Sequence, residues 1–163
     1  KSLFDRMDVN GNGALSLAEI DKAIEDGTIP AALMAGDAPS EYNHKPAIMR
    51  AYRAADTSGD GFIQRKEFSK LLAYIVYFNN LWDTFDAMDG NHDHRLSHEE
   101  FASGCERVGL ALSSTEMREE FQRCDSDGGG VVLFHEFCSW CAEQSLQLRV
   151  STDERAEGSV SQR

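Results

Sequence analysis

The chain has 163 residues, 28 acidic against 16 basic, and a formal net charge of −12 at pH 7. That length suffices for one compact domain or two small lobes with real cores. The acidity argues against nucleic acid and anionic membrane surfaces and favours cations or basic proteins, and no apolar run approaches the roughly 18 residues of a membrane span.

The chain opens at Lys1 without methionine or secretory leader. Upstream residues are therefore expected, together with any targeting or lipid signal they carry. The first informative stretch is Asp8 to Glu19. Read as a twelve-residue turn, it puts Asp8, Asn10, Asn12, Ser16 and Glu19 at positions one, three, five, nine and twelve. Ala14 at seven offers only its carbonyl, Gly13 sits at six, and the aliphatic Leu15 at eight. Short oxygen-bearing side chains at alternate positions let a tightly curled backbone aim oxygens inward. That is what a hard cation such as calcium requires, with its six to eight oxygens at roughly 2.3–2.6 Å. Glycine at six relieves the cost of a positive φ at the turn. Glu19 is long enough to reach back from the following helix and bind through both carboxylate oxygens.

Between Glu25 and Lys45 helical periodicity is broken by Gly27, Pro30, Gly36 and Pro39. An ordered loop, a short extra helix or a partner-binding insertion all fit there, and Pro46 suits the opening of the next helix. The pattern then returns with Asp56, Ser58, Asp60, the Phe62 carbonyl, Gln64 and Glu67, with Gly61 at six. This second loop has the fullest acidic donor set. The apolar run Leu71 to Phe78 ends in Asn79-Asn80, two turn-favouring residues. A solvent-bridging helix would be polar all round, so two lobes packed into a compact unit are expected.

A third loop keeps Asp89, Asn91, Asp93, the Arg95 carbonyl, Ser97 and Glu100, but has His94 at six. A non-glycine residue in the left-handed region costs about 1–2 kcal/mol, so weaker binding is expected there. The fourth retains Asp125, Asp127, the Val131 carbonyl and Glu136 but loses donors at Gly129 and Leu133. It reads either as a weak calcium or magnesium site or as an empty structural partner of loop three.

The flanks keep the same register. Phe4, Tyr52, Phe85 and Phe121 stand four residues before the loops, and Ile20, Phe68, Phe101 and Phe137 directly follow the closing glutamates. Helices on both sides of each loop are implied. Leu15, Ile63, Leu96 and Val132 at position eight should form short ladders between paired loops. The expected organisation is a first pair over 1–76, a second over 77–148, and a polar tail at 149–163 that frays unless it docks.

Four repeats of this kind resemble a four-hand member of the EF-hand superfamily: an all-α fold of two helix-loop-helix pairs. The stretches from Glu67 to Phe85 and from Val132 to Trp140 are similar to those of calflagins, flagellar calcium-binding proteins of trypanosomatids. That resemblance implies a flagellar place beside the cytoplasmic one, and membrane association only through an acylated N-terminal segment.

Two other constellations are weighed and set aside. Cys138-x-x-Cys141 lacks two further ligands for zinc and the strand-then-helix context of a redox pair. With Cys105 and Cys124 it reads as reduced thiols of a cytosolic protein. His92, His94 and His98 read as solvent-facing residues of a turn whose oxygens are already committed. No nucleophile-base order or phosphate-cradling loop appears, so no enzyme is expected. Calcium is the cofactor, with magnesium as competitor. A sensor that exposes apolar surface to a protein target is the leading reading; a buffer of the parvalbumin or sarcoplasmic type is the alternative.

Overall fold

The computed structural model describes residues 1–30, 45–107 and 109–144. Its elements run α1 (Leu3–Met7), β1 (Ala14–Leu15), α2 (Leu17–Glu25), α3 (Lys45–Ala55), β2 (Ile63–Gln64), α4 (Phe68–Met88), β3 (Arg95–Leu96), α5 (His98–Arg107), α6 (Ser114–Cys124) and β4 (Val132–Leu133). A last helix, α7, runs from 134 to the end of the described residues at 144. The fold is all-α apart from the two-residue strands. Contacts divide it into two compact units between Thr84 and Phe85. None of the helices among the described residues is long and apolar enough to cross a membrane.

Each unit is built on one antiparallel ladder. β1 pairs with β2 through Ala14↔Gln64 and Leu15↔Ile63, and β3 with β4 through Arg95↔Leu133 and Leu96↔Val132. Loops one and two thus pair, as do three and four, and all four aliphatic residues at position eight are fully buried. Their side chains anchor the ladders, because successive residues of a strand point to opposite faces.

In the first unit Phe4, Met7, Ile20, Ala51, Leu71 and Ile75 join the ladder residues in the core. Phe4 meets Phe68 edge-on at 5.3 Å, and the Arg65 guanidinium lies 4.4 Å from the Phe4 ring while pairing with Asp5. The second unit is aromatic. Phe85 lies 5.5 Å from Phe134 and 5.6 Å from Phe137, while Phe101 contacts Phe121 at 5.6 Å and Trp140 at 5.2 Å. Such tilted and edge-on rings add to what their buried area contributes. The Trp140 indole satisfies its one donor on Glu120 Oε2 at 2.7 Å. Gly104 of α5 faces Met88, and a Cβ placed there would collide with the Met88 side chain.

Helix starts follow side-chain chemistry. Ser2, Ser16 and Ser113 each cap a helix and form a reciprocal capping box with Asp5, Glu19 and Glu116, which satisfies amide groups that have no partner inside a helix. α2 ends at Glu25, just before the left-handed Gly27.

One sequence expectation is corrected. The turn at Asn79-Asn80 does not form, for α4 continues through both residues to Met88, and Asn79 is fully buried. Burial among apolar neighbours overrides a local turn preference that is weak by comparison. The insertion reading for Glu25 to Lys45 falls mostly on 31–44, which, like the tail reading for 149–163, lies outside the described residues.

Candidate metal centre

Each loop is closed by its last glutamate. Glu19 Oε1 accepts from the Val9 N–H at 3.2 Å and from the Asn10 side chain at 2.9 Å, while Oε2 accepts from the Ser16 N–H and hydroxyl at 3.0 and 2.8 Å. Glu67 repeats this with the N–H groups of Thr57, Ser58 and Gln64 at 3.1, 2.9 and 3.0 Å. Glu100 takes Gly90 N–H and Ser97 N–H, and Glu136 takes Ser126 N–H and Leu133 N–H. In every hand a carboxylate within the first turn of the following helix or, for Glu67, directly before it is drawn back over the turn.

These donors favour the ionised form. The Gln64 N–H is the strongest influence on Glu67 and, joined by Thr57 and Ser58, outweighs burial and lowers its pKa to about 2. Ser97 does the same for Glu100, again downward. For Glu19 burial is the largest influence and pushes up, but the Ser16 N–H and hydroxyl with the Asn10 and Val9 amides carry the net shift down. Asp60 is lowered first by the Gln64 side chain and then by the Phe62 N–H. Charged carboxylates at neutral pH are what a divalent cation needs.

The first residues of the loops behave alike with one exception. Asp8 spends its two oxygens on the Asn12 and Gly13 N–H groups, Asp56 on Gly59 and Gly61, and Asp125 on Gly129 and Gly130. Asp89 receives only the His94 N–H, at 2.8 Å on Oδ2. Its Oδ1 is buried with no hydrogen-bond partner, in a residue 1% exposed. A buried, charged oxygen with no partner is costly, and a cation in the loop would supply one. That orphaned oxygen, together with a donor set made only of oxygens, fits calcium.

The remaining predicted donors are placed as follows. Asn10 Oδ1 accepts from the Asn12 N–H at 2.9 Å, Asn12 Oδ1 from Ala14 N–H at 2.9 Å, Asn91 Oδ1 from Asp93 N–H at 2.8 Å, and Asp93 Oδ1 from Arg95 N–H at 2.9 Å. Asp60 Oδ1 accepts from Phe62 N–H at 2.9 Å, and Ser58 donates to Asp56 at 3.2 Å. The odd-numbered donors therefore brace the curl. Position nine plays a second part: Ser16 and Ser97 hold the closing glutamates, and Gln64 binds Asp60 Oδ2 at 2.6 Å. Leu133 can offer Glu136 only its N–H.

One feature went unread in the sequence. Position four is left-handed as well as position six. Gly11, Gly13, Gly59, Gly61, Gly128 and Gly130 have φ between 69° and 84°, and in loop three His92 and His94 take φ of 58° and 63°. The glycines at position four were the available signal. In loop four the donors named from the sequence come together: oxygens of Asp125, Asp127 and Glu136 all lie within 4.8 Å of one another. The donors that survive there converge.

Cys105, Cys124 and Cys138 are buried, and Cys141 is partly so. Burial is the main influence that pushes Cys105 up to about 11 and Cys141 to about 12.

Comparison with known proteins agrees with this geometry. A model of the EF-hand domain pair matches residues 78–142, and an EF-hand model matches 1–23 and 53–72. "Probable calcium-binding protein CML27" of Arabidopsis thaliana is 29% identical over 90% of this chain and 79% of its own. "Probable calcium-binding protein CML25" of the same plant is 30% identical over 84% and 69%. "Flagellar calcium-binding protein TB-17" of Trypanosoma brucei brucei is 28% identical over 96% and 68%. The names of these relatives describe calcium-binding proteins and indicate no enzymatic family. With four repeated loops on two ladders and such relatives, the chain belongs to the EF-hand superfamily of calcium-binding proteins.

Proposed function

We propose that the chain is a calcium sensor whose loops fill in stages and whose filled form offers apolar surface to a protein target. The observation that carries this is the inequality of the loops. Loops one and two have glycine at both left-handed positions and full donor sets; loop three has histidine at both, and loop four lacks two donors. Graded affinities convert a rising calcium concentration into successive states, which a uniform store has no use for. The apolar residues that opening would release are concentrated in the aromatic core of the second unit, and a net charge of −12 suits a basic target.

One observation favours a buffer instead. All four closing glutamates already reach over their loops while Phe4, Phe85, Phe101, Phe121 and Phe137 beside the loops stay buried, so a loop ready for metal does not require an open core.

Titration with calcium, against a magnesium background, in the presence of a dye that fluoresces on apolar surface decides between them. A sensor gives stepwise binding and a rise in dye signal; a silent dye over saturated loops gives the buffer. The flagellar relatives suggest a flagellar place for this chain too, which imaging of the tagged protein in a flagellate cell would test.

A further inference from the structure

The closing glutamate of loop four heads a row on α7. Glu136, Trp140 and Gln144 are spaced four residues apart, so they share one face of the helix, one turn after another. Opposite them, on α6, stands Glu120. Its Oε2 accepts from the Trp140 indole N–H at 2.7 Å and from the Gln144 side-chain amide at 2.9 Å. Its Oε1 accepts from Arg123 Nη1 at 2.7 Å, and Arg123 Nη2 lies 3.6 Å from Glu143 Oε2 on α7. One carboxylate therefore spans from the helix that enters loop four to the helix that leaves it, pinned from its own side by Arg123. The indole has a single polar group and is 8% exposed. Hydrogen bonds to a charged acceptor are about twice as strong as neutral ones. Trp140 also lies 5.2 Å from Phe101 of α5 and 6.0 Å from Phe137, which makes it a shared wall of the aromatic core.

We propose that Glu120 is a latch that holds hand four shut through Trp140, and so sets how readily the second unit uncovers its aromatic core. Opening of a hand swings its exit helix away from its entry helix. α7 cannot make that movement without withdrawing the Trp140 and Gln144 donors from Glu120, and with Trp140 goes the cover over Phe101. Glu136 accepts from the Ser126 and Leu133 N–H groups while the latch is made, so α7 brings its carboxylate over the loop without parting from α6. Loop closure and core opening are thereby separate events on one helix, and the bonds to Glu120 stand between them. The inference rests on the sensor reading for its purpose, and titration of the parent protein tests that reading separately.

The test uses the full chain with Trp140→Phe, which keeps a ring in the wall and loses the N–H, and with Glu120→Ala, which removes the acceptor. Each is titrated with calcium in the presence of the dye that fluoresces on apolar surface. The calcium concentration at half of the dye response should fall by about tenfold in either variant, the lower end of what a hydrogen bond to a charged group is worth. If the parent binds calcium with a silent dye, so that the sensor reading fails, either variant should still gain a signal on loading. Glu120→Gln, which retains one oxygen for the indole, should lie between the parent and Glu120→Ala. The double variant should show no more effect than Glu120→Ala by itself, since both changes break the same bond. A response unchanged from the parent's, or shifted to higher calcium, overturns the latch. So does a double variant in which the two effects add. A dye signal raised by the same amount at every calcium level overturns it too, for that marks lost packing rather than a released hand.

Discussion

Loop three keeps its oxygen donors on a strained backbone, whereas loop four has a relaxed backbone and too few donors. The two share one ladder and one aromatic core, so the difference lies in the turns themselves. In loop three His92 and His94 hold φ of 58° and 63°, at a cost on the order of 1–2 kcal/mol each. Its first carboxylate gets one amide where the others get two, and Asp89 Oδ1 is left buried and unpaired. In loop four Gly128 and Gly130 take the same left-handed geometry without a side chain to strain, and Asp125, Asp127 and Glu136 converge. A cation loop thus needs two independent things, a backbone that can curl and oxygens enough to replace water. Either can be lost alone.

The comparison is broken most decisively at the closing glutamates. Glu100→Gln should weaken calcium binding at loop three by more than about a hundredfold, since it removes a charged ligand where even supporting residues cost 10–100-fold. Glu136→Gln in a separate titration should remove the weakest binding step. A parent and Glu136→Gln protein with the same number of steps would show that loop four takes no calcium. Next in size, His94→Gly should strengthen loop three by about tenfold, the worth of the relieved strain, read by the same calorimetry. Unchanged affinity would mean that the cation, not the turn, limits that site. Smaller is Gly129→Asp, which restores the fifth-position donor. Its Cβ would approach Asp127 Oδ1 to 2.8 Å, so that flexible carboxylate must swing aside, and a gain of only a few-fold is expected.

The smallest effect sets the first unit against the second. Glu67 has its folded-state pKa lowered from 4.5 to about 2. A lowered carboxylate contributes stability that is present above its unfolded value and lost as pH falls through the folded one. Calcium-free protein should therefore lose this contribution between about pH 4.5 and 2. In Glu67→Gln, urea unfolding midpoints should fall less steeply over that window than in the parent; parallel slopes would refute the assignment.

Much of this was legible because an EF-hand loop is a local code. Glu19 must reach Val9 and Asn10, and Leu15 must meet Ile63, whatever else the chain does, so spacing alone exposes them. The helix through Asn79-Asn80 was not legible, because Asn79 is buried and a local turn preference does not record burial. Position four was missed for another reason: the requirement there is a backbone angle rather than a donor, and His92 interrupts the run of glycines at 11, 59 and 128 that signals it. The second task of Ser16 and Ser97, gripping the glutamate three residues on, was hidden behind their expected role as donors.

The bare α-carbon of Gly104 has a use beyond packing. It faces Met88, the residue immediately before the first ligand of loop three, from the helix that leaves that loop. Bulk introduced at 104 acts as a wedge between the incoming and outgoing helices of the hand while every ligand stays untouched. Spreading of the hand and chemistry of the ion can then be varied separately, and a graded series of side chains at that one place becomes a dial for how far the hand must part before anything else responds.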